Sequence, residues 1–293
     1  MKYKSISTFA DLLGECELQE VTIFDIAQKN EANLDDIKVN EFRKIVKKSL
    51  NAMQDAVKSG LKSKEMSLSG MCGDDCSRLK SFYSDSHALF GTIFEKIVTY
   101  ALAISEENLR MGKIVACPTA GSCAIVPSVL IAVSEEKNIS EKSQIDALIT
   151  AGEIGRIVSN KVSLAGAVAG CQAECGVASA MSAAALTQLL GGTPRQILNA
   201  VALALKNLLG LTCDPVCGLV EIPCVKRNAF LAVHAVTACE LALANVESKI
   251  PVDEVVDAME QTGKLMSPML KESSQAGLAK TKTAVRLEKS LRK

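Results

Sequence analysis

The sequence predicts an all-α protein. Aromatic residues make up 3% of the chain and Trp is absent, so the side chains that favour strands are scarce. Ala, Leu, Ile and Val occur in long runs, and almost no stretch alternates apolar and polar residues with a period of two. Where apolar residues repeat, they do so every three or four positions, which is the helical period.

Taken in order, the first strong element runs from Lys38 to Gly60. Val39, Phe42, Val46, Leu50, Met53 and Val57 fall on one face with Lys and Asp opposite, and Gly60 offers a C-terminal stop. The segment SLSGMCGDDCSRLKSF is a Gly/Ser/Asp loop too polar for a core. An apolar helix follows from Pro127. The longest apolar stretch, Gly176 to Leu190, is too short and too rich in Ala, Ser and Thr to span a bilayer and reads as a helix buried in protein.

The segment GGTPRQILNAVALALKNLLG predicts a helix with Thr193 at the N-cap, Pro194 where its missing N–H costs nothing, and Gly210 just past the end. Asn228 to Val246 is apolar nearly all round, which predicts a central buried helix, and Val252 to Gln261 a shorter amphipathic one stopped by Gly263. The tail from Lys271 is basic and loosely patterned. Composition shifts from charged and amphipathic to small and apolar, which suggests an N-terminal helical arm, 1–65, and a large catalytic helical domain, 66–293, together one continuous unit.

Composition narrows the functional classes. A chain of 293 residues with 48% hydrophobic content can bury a substantial core. Its 33 basic and 33 acidic residues cancel, so nothing in the charge points to nucleic acid or an acidic membrane as partner. The first twenty residues contain acids and no apolar stretch with a small-residue cleavage site, which gives a cytoplasmic expectation. Eleven cysteines, an odd number scattered from Cys16 to Cys239, fit reduced thiols and metal ligation rather than a disulfide framework.

Three cysteines stand beside polar residues in otherwise apolar sequence: Cys171 in AGCQAECG, Cys213 in LGLTCDPVCG and Cys224 in EIPCVKRN. Apolar packing needs neither Gln172 and Glu174 after a glycine turn nor Asp214, Lys226 and Arg227 on short proline-containing loops, so these segments look built around a bound group. Cys171/Cys175 and Cys213/Cys217 also form two C-x3-C pairs. From spacing alone, a tetrahedral zinc site and unligated small core residues both stand as readings.

The segments MGKIVACPTAGSCAIVPSVL, GCQAECG, ALALKNLLGLTCDPVCGLVEIPCVKRNA and TGKLMSPMLKESSQAGLAKTKT carry a closer resemblance. They resemble the iron-sulfur-dependent L-serine dehydratases, specifically the alpha subunit of the two-chain type, over essentially the whole chain. The resemblance implies a helical domain built around a 4Fe-4S cluster held by Cys171, Cys213 and Cys224, with the fourth iron open. It implies elimination of water from L-serine to give pyruvate and ammonia, without pyridoxal phosphate. A separate beta subunit and an oligomer are implied as partners of the chain.

Elimination needs an electrophile on the hydroxyl oxygen and a base at the α-carbon. Glu174 is an acid/base candidate, or bonds a ligand cysteine; Lys226 and Arg227 follow Cys224 directly, where one cation could offset cluster and carboxylate charge or simply pair with Glu221 or Asp214. Lys226 is taken with Glu174 as the catalytic pair. The turn PTAGSC offers Thr119, Gly121 and Ser122 to a substrate carboxylate through N–H and hydroxyl groups, against a plain turn as the alternative, and Asn228 joins them. His234 reads as a core histidine and His87 as a surface loop or helix start, so the base is expected from the beta subunit or a group other than His.

The chain departs from the resembled pattern at several places. The stretch before GCQAE, expected as S-x-S-G-A-E-G-G, has Ala165 and Val168 for a Ser and a Glu. A G-G-D-A-x-K segment appears as Gly73-Asp74-Asp75-Cys76-Ser77-Arg78, and E-T-x-x-G-G-L-A begins as Glu272-Ser273. These changes leave cluster binding untouched and make another β-substituted amino acid an alternative substrate. A helical zinc- or cluster-binding scaffold is the competing reading from outside catalysis, and Cys72, Cys76, Cys175 and Cys217 are extra thiols without an assigned role.

Overall fold

The computed structural model describes residues 6–85 and 89–291; His87 lies outside them. The described residues form thirteen α-helices and short 3-10 turns, with no strand, as the periodicity predicts. In chain order these are α1 (Phe9–Gln19), α2 (Ile23–Leu34), α3 (Val39–Gly60), α4 (Asp75–Ser84) and α5 (Thr92–Leu109). Then come α6 (Ile125–Glu136), α7 (Glu141–Ser159), the single turn α8 (Gly166–Ala169) and α9 (Val177–Leu189). The chain closes with α10 (Pro194–Lys206), α11 (Cys224–Leu243), α12 (Val252–Leu265) and α13 (Lys282–Leu291).

The centre of the fold is α9, and α6, α7, α10 and α11 pack on it from all sides. Its sequence, VASAMSAAALTQL, explains this: small side chains let neighbouring helices approach closely, and Val177 to Thr187 are all buried. The hydroxyls this places in the interior are satisfied locally. Ser179 donates to Leu231 O at 3.0 Å and Thr187 to Ala183 O at 2.8 Å.

The helix expected to be central, Asn228 to Val246, is instead the flank α11, which begins four residues earlier at Cys224 and ends at Leu243. Phe230 is 77% exposed on it and Leu241 38%, so one face is open. Apolar character all round does not identify the innermost helix; side-chain size does, because only the Ala/Ser helix can be enclosed by four others.

Two glycines expected as stops do other work. Gly60 ends α3, yet the cap after it is right-handed at Leu61, and a Cβ on Gly60 would lie 2.2 Å from Ala103 O of α5. Gly263 does not stop α12, which continues to Leu265; it lies against Gln172 and Ala169 instead. The α10 helix also stops at Lys206, before the expected end, and a turn through Leu208 carries the chain to Gly210 at φ +85°.

The N-terminal helices share the apolar cluster of the rest: Phe9, Ile23, Leu50 and Met53 belong to the core that holds Ile154 and Ile197. Asp253 at the start of α12 accepts Phe9 N at 3.0 Å and Ala10 N at 2.9 Å, a carboxylate on the free amides of α1. No helix among the described residues is long and apolar enough to cross a membrane.

At the start of α10, Thr193 accepts Gln196 N at 3.2 Å and donates nothing to the core, while Gln196 accepts Thr193 N at 3.0 Å. Thr193→Ala therefore removes a cap without opening a cavity, and is expected to lower stability by about 1 kcal/mol. Chemical denaturation should show an unchanged slope with a lower midpoint.

Candidate active site

Four segments converge at one end of α9. The first is the entry to α9 itself. Gly170, at φ +78°, turns the chain out of α8, and Cys171 precedes a single π-helical turn, Gln172–Gly176. Such turns are rare and concentrate at functional sites. Gln172 is fully engaged: its Nε2 donates to Met259 O at 3.0 Å, its Oε1 accepts Gly210 N at 2.9 Å, and its own N–H donates to Leu211 O at 3.0 Å. It staples the Cys171 turn to α12 and to the loop before Cys213.

The second segment carries Cys213. Its N–H donates to Leu270 O at 2.9 Å and its carbonyl accepts Glu272 N at 2.6 Å, so it is bridged in parallel register to the chain after α12. The third is the start of α11, where a cis Ile222–Pro223 bond leads directly into Cys224. The fourth is the turn after the cis Cys117–Pro118 bond, Thr119 to Cys123.

The thiols influence one another. Burial pushes the Cys224 thiol up to about 12, and the charge of Cys171 adds to this. Cys213 is raised by burial first and then by Cys171, Glu174, Glu272 and Cys224. Cys171 moves the other way, down to about 7, because Cys175 hydrogen-bonds it and Arg227 lies beside it. Cys171, Cys175 and Cys213 share one buried cluster with Ile125, Ala178 and Leu231.

Glu174 faces the same space. Cys213 Sγ donates to its Oε2 at 3.8 Å, and Thr119 and the Gly166 N–H also bond its carboxylate. Burial and then the charge of Glu272 raise the Glu174 carboxyl above its ordinary value. Gly166 is required by this crowding, since a Cβ there would lie 2.4 Å from Glu174 Oε2 and 2.9 Å from Cys213 Sγ.

The sequence matches a known family nearly end to end: the model of the family described as serine dehydratase alpha chain covers residues 18–279. The chain belongs to that family. It is 42% identical over 281 residues to the probable L-serine dehydratase alpha chain of Bacillus subtilis, covering 96% of this chain and 93% of the relative. To the L-serine dehydratase alpha chain of Peptoniphilus asaccharolyticus it is 36% identical over 288 residues, 98% and 99% of the two chains. A 40% match to the L-serine dehydratase of Helicobacter pylori covers 94% of this chain but 61% of that longer protein.

In this family member the structure brings Cys171, Cys213, Cys224, Glu174 and Thr119 together. Gly121 and Ser122 lie in the adjoining turn, where Ser122 is fully buried and its hydroxyl donates to Cys117 O at 3.4 Å and Thr119 O at 3.3 Å. Asn228 is spent on scaffolding: its Nδ2 donates to Gly121 O at 2.8 Å and Cys224 O at 2.9 Å, and its Oδ1 accepts Ala124 N at 3.1 Å. The amide thus clamps the turn to the start of α11. His234 lies beside Ser179 at 2.9 Å, with burial holding its pKa below the ordinary value.

Lys226 is not with Cys171, Cys213 and Cys224. It pairs with Asp75 and lies 3.9 Å from Cys72 Sγ, on the side covered by the Gly/Ser/Asp segment, which is a loop only up to Asp74: its second half is the start of α4, and Cys72 and Cys76 join the core. That loop is held to the same helix start by Ser67 and Ser69, which both donate to Glu221 Oε2 at 2.8 Å. Arg227 occupies the place beside Cys171, donates to Thr212 O at 3.0 Å and reaches Asp214 at 3.7 Å.

The signal for Arg227 was available in the sequence. If the helix starts at Cys224, positions three and four on share its face while the second turns away. Glu272 and Cys175 were not assigned roles from the sequence either. The first is distant in the chain, and the second was open between ligand and core residue.

Proposed function

We propose that this chain is the alpha subunit of an L-serine dehydratase, which converts L-serine to pyruvate and ammonia, and that Cys171, Cys213 and Cys224 hold a 4Fe-4S cluster. What supports this is the closeness of thiols from three separate segments: Cys171 and Cys213 share one buried cluster, and Cys224 and Arg227 lie within electrostatic reach of Cys171. Thiolates are the usual ligands of such a cluster, and membership of the serine dehydratase alpha chain family favours it over the zinc scaffold.

When bound, the cluster supplies a Lewis-acidic iron for the hydroxyl of the substrate. The chain's own residues do the rest. The Ala120 and Gly121 amides receive the carboxylate, those of Thr119 and Ser122 being engaged within the turn, and Ser122 and Asn228 hold that turn in shape. Arg227 offsets the negative charge of the thiolates. Glu174 Oε2, whose pKa is raised by burial, is placed to hold or move a proton within the pocket. Lys226, through Asp75, orders the loop over the start of α11.

A separate partner chain is supported by length. The alpha-chain relatives match this chain nearly end to end, whereas it spans 61% of the Helicobacter pylori enzyme. The remaining portion of such single-chain enzymes corresponds, in this reading, to a beta subunit. The reaction so described needs no pyridoxal phosphate.

The testing experiment is low-temperature EPR of anaerobically reconstituted protein, mildly oxidised, with and without L-serine. A three-iron signal that L-serine suppresses by protecting the labile iron is the expected result. Zinc without sulfide would restore the scaffold reading, and a cluster that ignores L-serine in the presence of the partner chain would point to another β-substituted amino acid.

A further inference from the structure

The last turns of α5 carry Ser105, Glu106 and Asn108 at the end of a buried run, Tyr100 to Ile104. Two of the three have clear structural work. Glu106 Oε1 accepts Asp75 N at 2.8 Å and Cys76 N at 3.2 Å at the start of α4, and Asn108 Nδ2 donates to Ala120 O at 3.3 Å in the turn after Pro118. Ser105 has none.

It is 5% exposed, and among the described residues its Oγ has no hydrogen-bond partner. Nor does it bond back to its own helix, as Ser128 of α6 does to Ile125 O at 3.1 Å. Buried hydroxyls are seldom left so, because nothing then offsets their loss of hydration.

Ser105 lines a narrow crevice of about 10 Å³ together with Asn108, Gly121, Cys224, Val225 and Asn228. That is room for one water, which needs two or more polar partners to be held. The walls supply them. Both N–H groups of Asn228 are committed to Gly121 O and Cys224 O, so Ser105 brings the uncommitted hydroxyl. Asn108, with Nδ2 turned to Ala120, has Oδ1 left to accept, and the sulfur of Cys224 is a further acceptor on the opposite element.

We propose that Ser105 is a positioning residue for the cluster: its hydroxyl holds one water in this crevice, and that water donates a hydrogen bond to the sulfur of Cys224. This rests on the reading of Cys224 as a cluster ligand. Hydrogen bonds to the sulfurs help to set the potential of an iron-sulfur cluster, and a donor favours the reduced state because that state carries the extra negative charge. Water-mediated bonds of this kind are nearly as good as direct ones.

The test compares Ser105→Ala with Ser134→Ala in enzyme reconstituted anaerobically with its cluster and partner subunit. Ser134, on α6, is the matched control: its hydroxyl is also buried and without a partner among the described residues, but it does not line the crevice. A redox titration followed by EPR of the reduced cluster should give Ser105→Ala a lower midpoint potential than the wild type at unchanged iron and sulfide, and leave Ser134→Ala at the wild-type value. In D2O, deuterium ENDOR of the reduced wild-type cluster should show an exchangeable deuteron that Ser105→Ala lacks and Ser134→Ala keeps. A Ser105→Ala enzyme with the wild-type potential and deuteron, one that loses iron, or equal shifts from both variants would overturn the proposal. A wild-type protein that assembles no iron-sulfur cluster would instead overturn the reading of Cys224 on which it depends.

Discussion

Cys171→Ala, Cys213→Ala and Cys224→Ala are each expected to reduce reconstituted cluster iron and sulfide by more than about tenfold, while Cys239→Ala retains both. Loss of a group that merely orients a metal ligand costs roughly 10–100-fold in affinity, so loss of the ligand itself should cost at least as much. Cys171, Cys213 and Cys239 are buried and Cys224 is half-buried, so burial does not set the proposed ligands apart from Cys239. Surroundings do: Cys171, Cys213 and Cys224 act on one another electrostatically, whereas Cys239, in the last turns of α11, has Thr187 as its side-chain partner. Iron and sulfide analysis of the four variants side by side settles the ligand set; equal yields from Cys224→Ala and Cys239→Ala would undo it.

Gly60→Ala is expected to destabilise the protein by about 2–3 kcal/mol, although alanine is ordinarily the better helix former by about 1 kcal/mol. The added Cβ would meet Ala103 O at 2.2 Å, its carbonyl carbon at 2.5 Å and its Cα at 3.0 Å. These are backbone atoms of α5, so no rotamer change relieves the overlap and α3 must move off its neighbour. Gly152→Ala is the control. It too is helical, on α7, with nothing within 4 Å of the added atom, and should be neutral or stabilising. Thermal unfolding of both variants should separate them by several degrees; a Gly60→Ala protein as stable as Gly152→Ala would contradict the close packing of α3 on α5.

Gly60 illustrates what can be read in a chain before its fold is known. Its position at the end of α3 follows from the periodicity of Val39 to Val57, because a helix's apolar face is a local pattern. The reason for the glycine does not, because Ala103 is remote in sequence. Gly263 repeats the lesson: it suggested a stop but serves a contact with Gln172 inside a continuing helix.

The site divides in the same way. Cys171, Cys213 and Cys224 stood out because thiols beside Glu, Asp and Arg are out of place in Ala/Leu sequence. Gln172 stood out for the same reason, yet its polar atoms are consumed by backbone groups of α12 and the Gly210 loop. Lys226 and Arg227 both follow Cys224, and sequence alone does not separate them; the turn of α11 sends Lys226 to Asp75 and Arg227 to Cys171. Asn228 resembles a binding residue until its three bonds to Gly121, Cys224 and Ala124 are seen.

By itself, then, the amino-acid sequence determined what depends on near neighbours: the all-helical class, the course of α3 and the cap of α10, and the odd company of three cysteines. Only the tertiary structure decided which helix is enclosed, which cation faces the thiols and that Glu272 stands beside Cys213. Those outcomes depend on the sizes and directions of side chains from distant segments meeting in a close-packed interior, and no local pattern encodes a meeting.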